Sequence, residues 1–283
     1  MPWDCGGMEN IMKYSNIILF SDLDGTLLNS QLQVSDENRK AIEDFVSQGG
    51  RFGVATGRGM QNSMKFLDGI PFNYYSIFLN GALLYDMRSN ENVENDFLDK
   101  EQVIPLVKRS LEKYPNLGIQ IYLEEDAYFV SSKETTPHEV VQGHLDYDFI
   151  HIDELQDKEW LKLFFYGQPE ALKLIEEDSQ YLVEAGIVDD IYTTTHYYEL
   201  LPKDCNKGRM IKKIHQLKNE QDIVYAVGDF YNDVEMIAQA DVGIYTENAP
   251  EDLKETVKWV CAECNESAIA DVIYRIIDGK HGM

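Results

Sequence analysis

The apolar run Ile17-Ile18-Leu19-Phe20 is followed, after Ser21, by Asp22-Leu23-Asp24-Gly25-Thr26. An apolar, β-branched run of this length, stopped by a glycine, predicts a buried strand. Strand side chains alternate faces, so Asp22 and Asp24 are expected to point the same way if the strand persists that far. Gly25 then lets the backbone turn sharply. Two carboxylates would converge at the carboxyl end of a buried strand, where open α/β sheets bind ligands. Two anions so close call for a cation.

The pattern repeats. Ser35 is placed to cap a helix carrying Ala41, Ile42, Phe45 and Val46 at helical spacing, and Gly49 ends it. A strand over 51–55 runs into Thr56-Gly57-Arg58, a helix through Met60, Met64 and Leu67 follows, and a strand over 74–79 ends in Asn80-Gly81. Three strands each ending in a polar or glycine-containing turn predict βα units feeding one parallel sheet. From 84 to 198 the rhythm changes to alternating strands, such as 119–123 and 161–165, with helices at 101–113 and 169–185. This reads as an α+β insertion. After Lys207 the βα rhythm returns, with a helix at 208–218 and a strand over 223–227 ending in Gly228-Asp229, and the chain closes on a helix with Ile269, Val272, Ile273, Ile276 and Ile277 on one face.

Composition narrows the function. Fifty acidic against 25 basic residues in 283 give a formal net charge of -25, which argues against nucleic acid and anionic membranes as partners. A small phosphorylated metabolite remains compatible, because one lysine, a metal ion and backbone N–H groups can hold a single anion. No apolar stretch approaches the ~20 residues that span a bilayer, and Asp4 and Glu9 precede any lysine, unlike a signal peptide. Residues 1–12, with Cys5, read as a disordered extension. Cys205, Cys261 and Cys264 read as reduced thiols of a cytoplasmic protein, although Cys261 and Cys264 have the spacing of half a zinc site.

Four elements therefore stand at strand ends or helix starts: Asp22/Asp24, Thr56, Lys207 and Asp229/Asn232/Asp233. Their residue types suit phosphoryl transfer. A carboxylate can attack phosphorus, and a second carboxyl can protonate the leaving oxygen and later deprotonate water. A hydroxyl and an ammonium can hold the equatorial oxygens, and hard oxygen ligands suit Mg²⁺. Each has a blander reading. A lone D-x-D-G resembles the start of a calcium loop, but the further acids and closing glutamate are absent. A lysine opening a helix opposes the helix dipole, so an anionic partner accounts for Lys207 better than solvent does. Thr56 could be a strand-end cap, and Asn232 or Asp233 a helix cap. Tyr122, Tyr128, Tyr192, Tyr197 and Tyr198 read as half-buried strand residues, and His196 as a packing residue. Arg58 has two equal readings: it binds an anionic end of the substrate, or it pairs with one of the many acids.

The chain resembles the haloacid dehalogenase superfamily, in particular its Cof-type subfamily IIB phosphatases, over about residues 16–278. The resemblance rests on five motifs in order: Asp22 to Thr26, Thr56 to Arg58, Asn80 to Ala82, Glu199 to Gly208, and Gly228 to Met236. It implies a doubly wound, Rossmann-like parallel sheet at 13–83 and 199–283, with an inserted α/β cap (C2B type) at 84–198. It implies a Mg²⁺-dependent phosphatase in which Asp22 is nucleophile and metal ligand, and Asp24 is acid/base with its carbonyl on the metal. Thr56 and Gly57 would hold the phosphoryl group, Lys207 would neutralise charge, and Asp229 would be the main acidic metal ligand. Asn232 would lie in the phosphate or metal shell, Asp233 would orient Lys207 or water, and Asn80 and Gly81 would touch the phosphate region. Phe230 and Tyr231 depart from the small residue usual after that aspartate and would narrow the entrance. A phosphotransferase of the same superfamily and a non-enzymatic phosphometabolite sensor are the alternatives. No obligate protein partner is evident.

Overall fold

A computed structural model describes residues 12–124, 126–134 and 148–279. Of the expected N-terminal extension only Met12 falls within them, and Cys5 lies outside.

The central sheet has five strands, β1 (Ile17–Ser21), β2 (Arg51–Val54), β11 (Ile223–Gly228), β12 (Val242–Thr246) and β13 (Trp259–Cys261), in the order β13-β12-β11-β1-β2. All its pairings are parallel. β1 is apolar without alternation because both its faces are covered. Ile17 and Leu19 pack with Ala41, Phe45, Ile269 and Ile273, on helices α1 (Asp36–Ser47) and α7 (Ala268–Ile277). Ile18 and Phe20 pack with Met210, Ile214 and Met236, on α5 (Lys207–Leu217) and α6 (Val234–Gln239). The Ser35 side chain accepts from the Asn38 N–H at 3.1 Å and so starts α1.

The strand at 74–79 is shorter than expected and does not extend the parallel ladder. It forms β3 (Tyr75–Phe78), which pairs antiparallel with β4 (Leu83–Asp86), and β4 pairs with β5 (Glu91–Asn95). A single bridge, Ala55 to Ile77, joins β3 to the line of β2. Elsewhere side chains replace the ladder: the Ser76 hydroxyl accepts from the Val54 N–H at 3.2 Å and Asn73 Oδ1 from the Phe52 N–H at 2.9 Å. The helix expected through Leu67 is confined to α2 (Met60–Met64).

The insertion is an antiparallel sheet of β6 (Gly118–Tyr122), β7 (Ala127–Phe129), β8 (Lys162–Tyr166), β9 (Val188–Thr194) and β10 (Tyr197–Pro202), in the order β7-β6-β8-β10-β9. One face packs on α3 (Lys100–Lys113) and α4 (Pro169–Glu184), through Ile119, Ile121, Leu163 and Phe165 against Val103, Leu106, Leu172 and Ile175. The other face turns Tyr122, Phe164, Tyr197 and Leu201 toward the central unit. The architecture is a doubly wound α/β core with an inserted α/β cap. The boundaries drawn at 83/84 and 198/199 fall inside β4 and β10, so neither marks the end of an element. Among the described residues no helix is long and apolar enough to cross a membrane.

Candidate active site

β1 stops at Ser21, so Asp22 and Asp24 stand in the turn beyond it and the strand alternation does not set their directions. The Asp22 N–H still donates to the Val227 carbonyl at 2.9 Å, which holds it over the end of the sheet. Gly25 adopts φ +78°, and a Cβ there would lie 2.3 Å from Asp229 Oδ2, so only glycine lets this turn meet the one after β11.

Lys207 is the first residue of α5, whose start is capped by Asn206 Oδ1 accepting from the Arg209 N–H at 2.8 Å. Its Nζ donates to Asp22 Oδ1 at 2.6 Å and Asp233 Oδ1 at 2.7 Å, and all three side chains are buried. The other oxygen of Asp233 accepts the N–H groups of Asp229 and Phe230 at 3.0 and 3.2 Å. Asp229 Oδ1 accepts the Thr26 hydroxyl at 3.2 Å. Asn248 Nδ2 donates to the Gly25 carbonyl at 2.9 Å and bridges to Asp229 Oδ2 at 3.4 Å.

One ammonium thus faces several carboxylates, and the titration shifts follow. Burial raises the Asp22 pKa well above its ordinary value, Lys207 opposes this, and Asp233, Asp229 and Asp24 add to it. Burial and then Asp233 push Asp229 up to about 7, against the pull of Lys207. Burial would lower Lys207, but Asp22 and Asp233 more than reverse this and raise it, so it stays charged. Asp22, Asp229 and Asp233 offer carboxylate oxygens all within 4.8 Å of one another, and among the described residues this is the one such group. An all-oxygen, anionic donor set with excess negative charge fits a hard divalent cation such as Mg²⁺. Both oxygens of Asp233 are already engaged by three donors, which leaves Asp22 and Asp229 as the better ligands.

A cavity of about 470 Å³ opens over this cluster between the core and the cap. Asp22, Asp24, Thr56, Gly57, Arg58, Asp229 and Asn232 all border it. Thr56, buried at the end of β2, accepts the Arg58 N–H on Oγ1 at 3.1 Å. The Asp24 side chain is 46 % exposed and is clamped by Arg58, whose Nε and Nη2 each reach a different carboxylate oxygen at 2.6 Å. Of the two readings of Arg58, the structure realises the ion pair, inside the cavity. Asn80 and Gly81 are set back. Asn80 Nδ2 donates to Glu199 Oε2 and its Oδ1 accepts from Asn232 Nδ2, both at 3.2 Å. Gly81 packs on the backbone leading into α5, where a Cβ would lie 2.4 Å from the Asn206 carbonyl oxygen. His196 stacks on Tyr166 away from the cavity lining, Phe230 borders the cavity, and Tyr231 bonds to Asp252 instead. Cys261 and Cys264 are buried thiols, outside the metal-capable group.

The cap side of the cavity is what the sequence reading lacked. Phe164 and Tyr197 form an aromatic wall with ring centroids 5.0 Å apart. Lys162 and Glu199, 2 % and 3 % exposed, pair beside it at 3.1 Å. The available signal was a lysine amid the apolar run of β8. Its burial is decided by β6 and the core turn opposite.

The sequence profile of the haloacid dehalogenase-like hydrolase family matches residues 19–273. The chain belongs to that family. Among solved structures, a haloacid dehalogenase-like hydrolase from Bacteroides thetaiotaomicron superposes with a TM-score of 0.81 at 24% identity, covering 93% of this chain and 100% of its own. Among curated relatives, the 5-amino-6-(5-phospho-D-ribitylamino)uracil phosphatase YcsE of Bacillus subtilis is 26% identical over 89% of this chain and 92% of its own length. Phosphatase YwpJ of the same organism is 25% identical over 90% and 98%.

Proposed function

We propose that the protein is a Mg²⁺-dependent phosphatase of small phosphorylated metabolites, acting through an aspartyl phosphate on Asp22. The observation that carries this reading is the buried Asp22–Lys207 pair, 2.6 Å apart, at the base of a cavity also bordered by Thr56 and Asp24. The names of its relatives as phosphatases support the reaction class.

In this reading Asp22 Oδ attacks phosphorus and the ester oxygen leaves with a proton from Asp24. Asp24 then takes a proton from water, which attacks the aspartyl phosphate. Asp24 must shed its clamp to Arg58 to serve in either step. The Thr56 hydroxyl and Lys207 ammonium face the equatorial oxygens, where transition-state charge sits. Asp22, Asp229 and the Asp24 carbonyl would hold Mg²⁺, which would neutralise phosphate charge, and Asp233 would hold Lys207 in place. Asn232 would border the phosphate or metal shell, with Gly57 and Arg58 beside it, while Asn80 and Gly81 support from behind. The cap over 84–198 selects the leaving group. The acidic surface disfavours nucleic acid and anionic membranes, and the buried thiols suit the cytoplasm.

The test is phosphate release from a panel of phosphorylated metabolites, with Mg²⁺ and with chelator, by wild type and Asp22→Asn. Mg²⁺-dependent release by wild type alone is expected. Release by Asp22→Asn at the wild-type rate would remove Asp22 as nucleophile.

A further inference from the structure

Lys162 is a buried cation on the cap that the reaction as written does not use. Its Nζ donates to Glu199 Oε2 at 3.1 Å and crosses to the core to donate to the Gly57 carbonyl at 2.9 Å, with the Tyr122 ring 4.5 Å away. Glu199 is itself fixed, taking the Thr193 hydroxyl on Oε1 at 3.1 Å and Asn80 Nδ2 on Oε2 at 3.2 Å. A buried ion pair contributes little stability beyond what an apolar pair of the same volume would give, so its geometry is the more informative property.

The Gly57 carbonyl and the Arg58 N–H are the two ends of one planar peptide unit. Lys162 holds the first end. The second donates to Thr56 Oγ1 at 3.1 Å. A hydroxyl oxygen that accepts this bond has its own proton left to donate elsewhere. Thr56 borders the cavity, so that proton is available to a phosphoryl oxygen.

We propose that Lys162 is a positioning residue for phosphoryl transfer: from the cap, it orients the 57–58 peptide and through it the Thr56 hydroxyl. The proposal rests on the reading of Thr56 as a phosphoryl ligand. It makes the threonine fully oriented only while the cap lies against the core, because the ammonium and the carbonyl belong to different units.

The test is steady-state kinetics with Mg²⁺ on p-nitrophenyl phosphate and a hexose phosphate. The variants are Lys162→Met, the charge-balanced Lys162→Met/Glu199→Gln, Thr56→Ala, and the last two combined. The balanced variant leaves no unpaired buried charge, so it reports even if Lys162→Met fails to fold. It is expected to lower kcat about 10- to 100-fold on both substrates, with KM within about twofold. In the Thr56→Ala background the same change should cost less than about twofold, because both act through one hydroxyl. Unchanged kcat, a loss that multiplies with that of Thr56→Ala, or a loss confined to one leaving group would each overturn the proposal. An inactive wild type would instead remove the phosphatase reading beneath it.

Discussion

The charge crowding around Lys207 has a measurable consequence for the metal-free protein. Asp229 is pushed up to about 7 by burial and by Asp233, against about 3.9 for an aspartate in an unfolded chain. Between those values the native state binds the proton and the unfolded state does not. Stability therefore falls as pH rises through this window and is regained as pH falls. Integrating the linkage from about pH 8 to about pH 5 gives a gain of roughly 2.5 kcal/mol from Asp229. For a chain of this size that is a rise in Tm of about 4 °C. The assay is thermal unfolding followed by circular dichroism in chelator, on wild type and Asp229→Asn in parallel. The wild-type curve should rise relative to the variant as pH drops. Saturating Mg²⁺ should abolish the rise, because a bound cation holds the carboxylate ionised and competes with the proton. Parallel pH profiles of wild type and Asp229→Asn in chelator would refute the argument. They would mean that Asp229 is already relieved of its crowding without a metal.

Other perturbations test other parts of the site. Asp22→Asn should lower phosphate release by at least about 10³-fold while raising Tm in chelator, since it removes one crowded carboxylate; activity assays and unfolding curves read the two effects separately. Lys207→Met leaves Asp22 and Asp233 buried without their ammonium, and urea unfolding near neutral pH should show a loss of about 3–5 kcal/mol. Gly25→Ala should weaken Mg²⁺ binding in calorimetry, because the new methyl would lie 2.3 Å from Asp229 Oδ2; an unchanged affinity would mean the turn yields without moving Asp229. Phe230→Ala should raise KM about 10-fold for bulky phosphomonoesters and hardly at all for small ones, if the ring bordering the cavity contacts the leaving group.

How far the site could be read from the chain follows from the range of the interactions that build it. Asp22, Thr56, Lys207 and Asp229 each follow a strand or open a helix, and these positions are marked by local features such as apolar runs and Gly25. Strand pairing was less legible. The run at 75–78 does lie parallel to β2, but it meets it through one bridge, with the Ser76 and Asn73 side chains in place of a ladder, and its continuous partner is the antiparallel β4. The pairing of Arg58 with Asp24 was left undecided by sequence because it depends on two turns 34 residues apart meeting over the same sheet. The cap face was the least legible. In β8 both alternating sets are apolar except for Lys162, so periodicity does not say which set meets the core. That is settled by α3 and α4, which cover Leu163 and Phe165 and leave Lys162 and Phe164 to the cavity. The chemical core of the site is thus encoded locally. The residues that would choose a substrate are encoded in the packing of one unit on another.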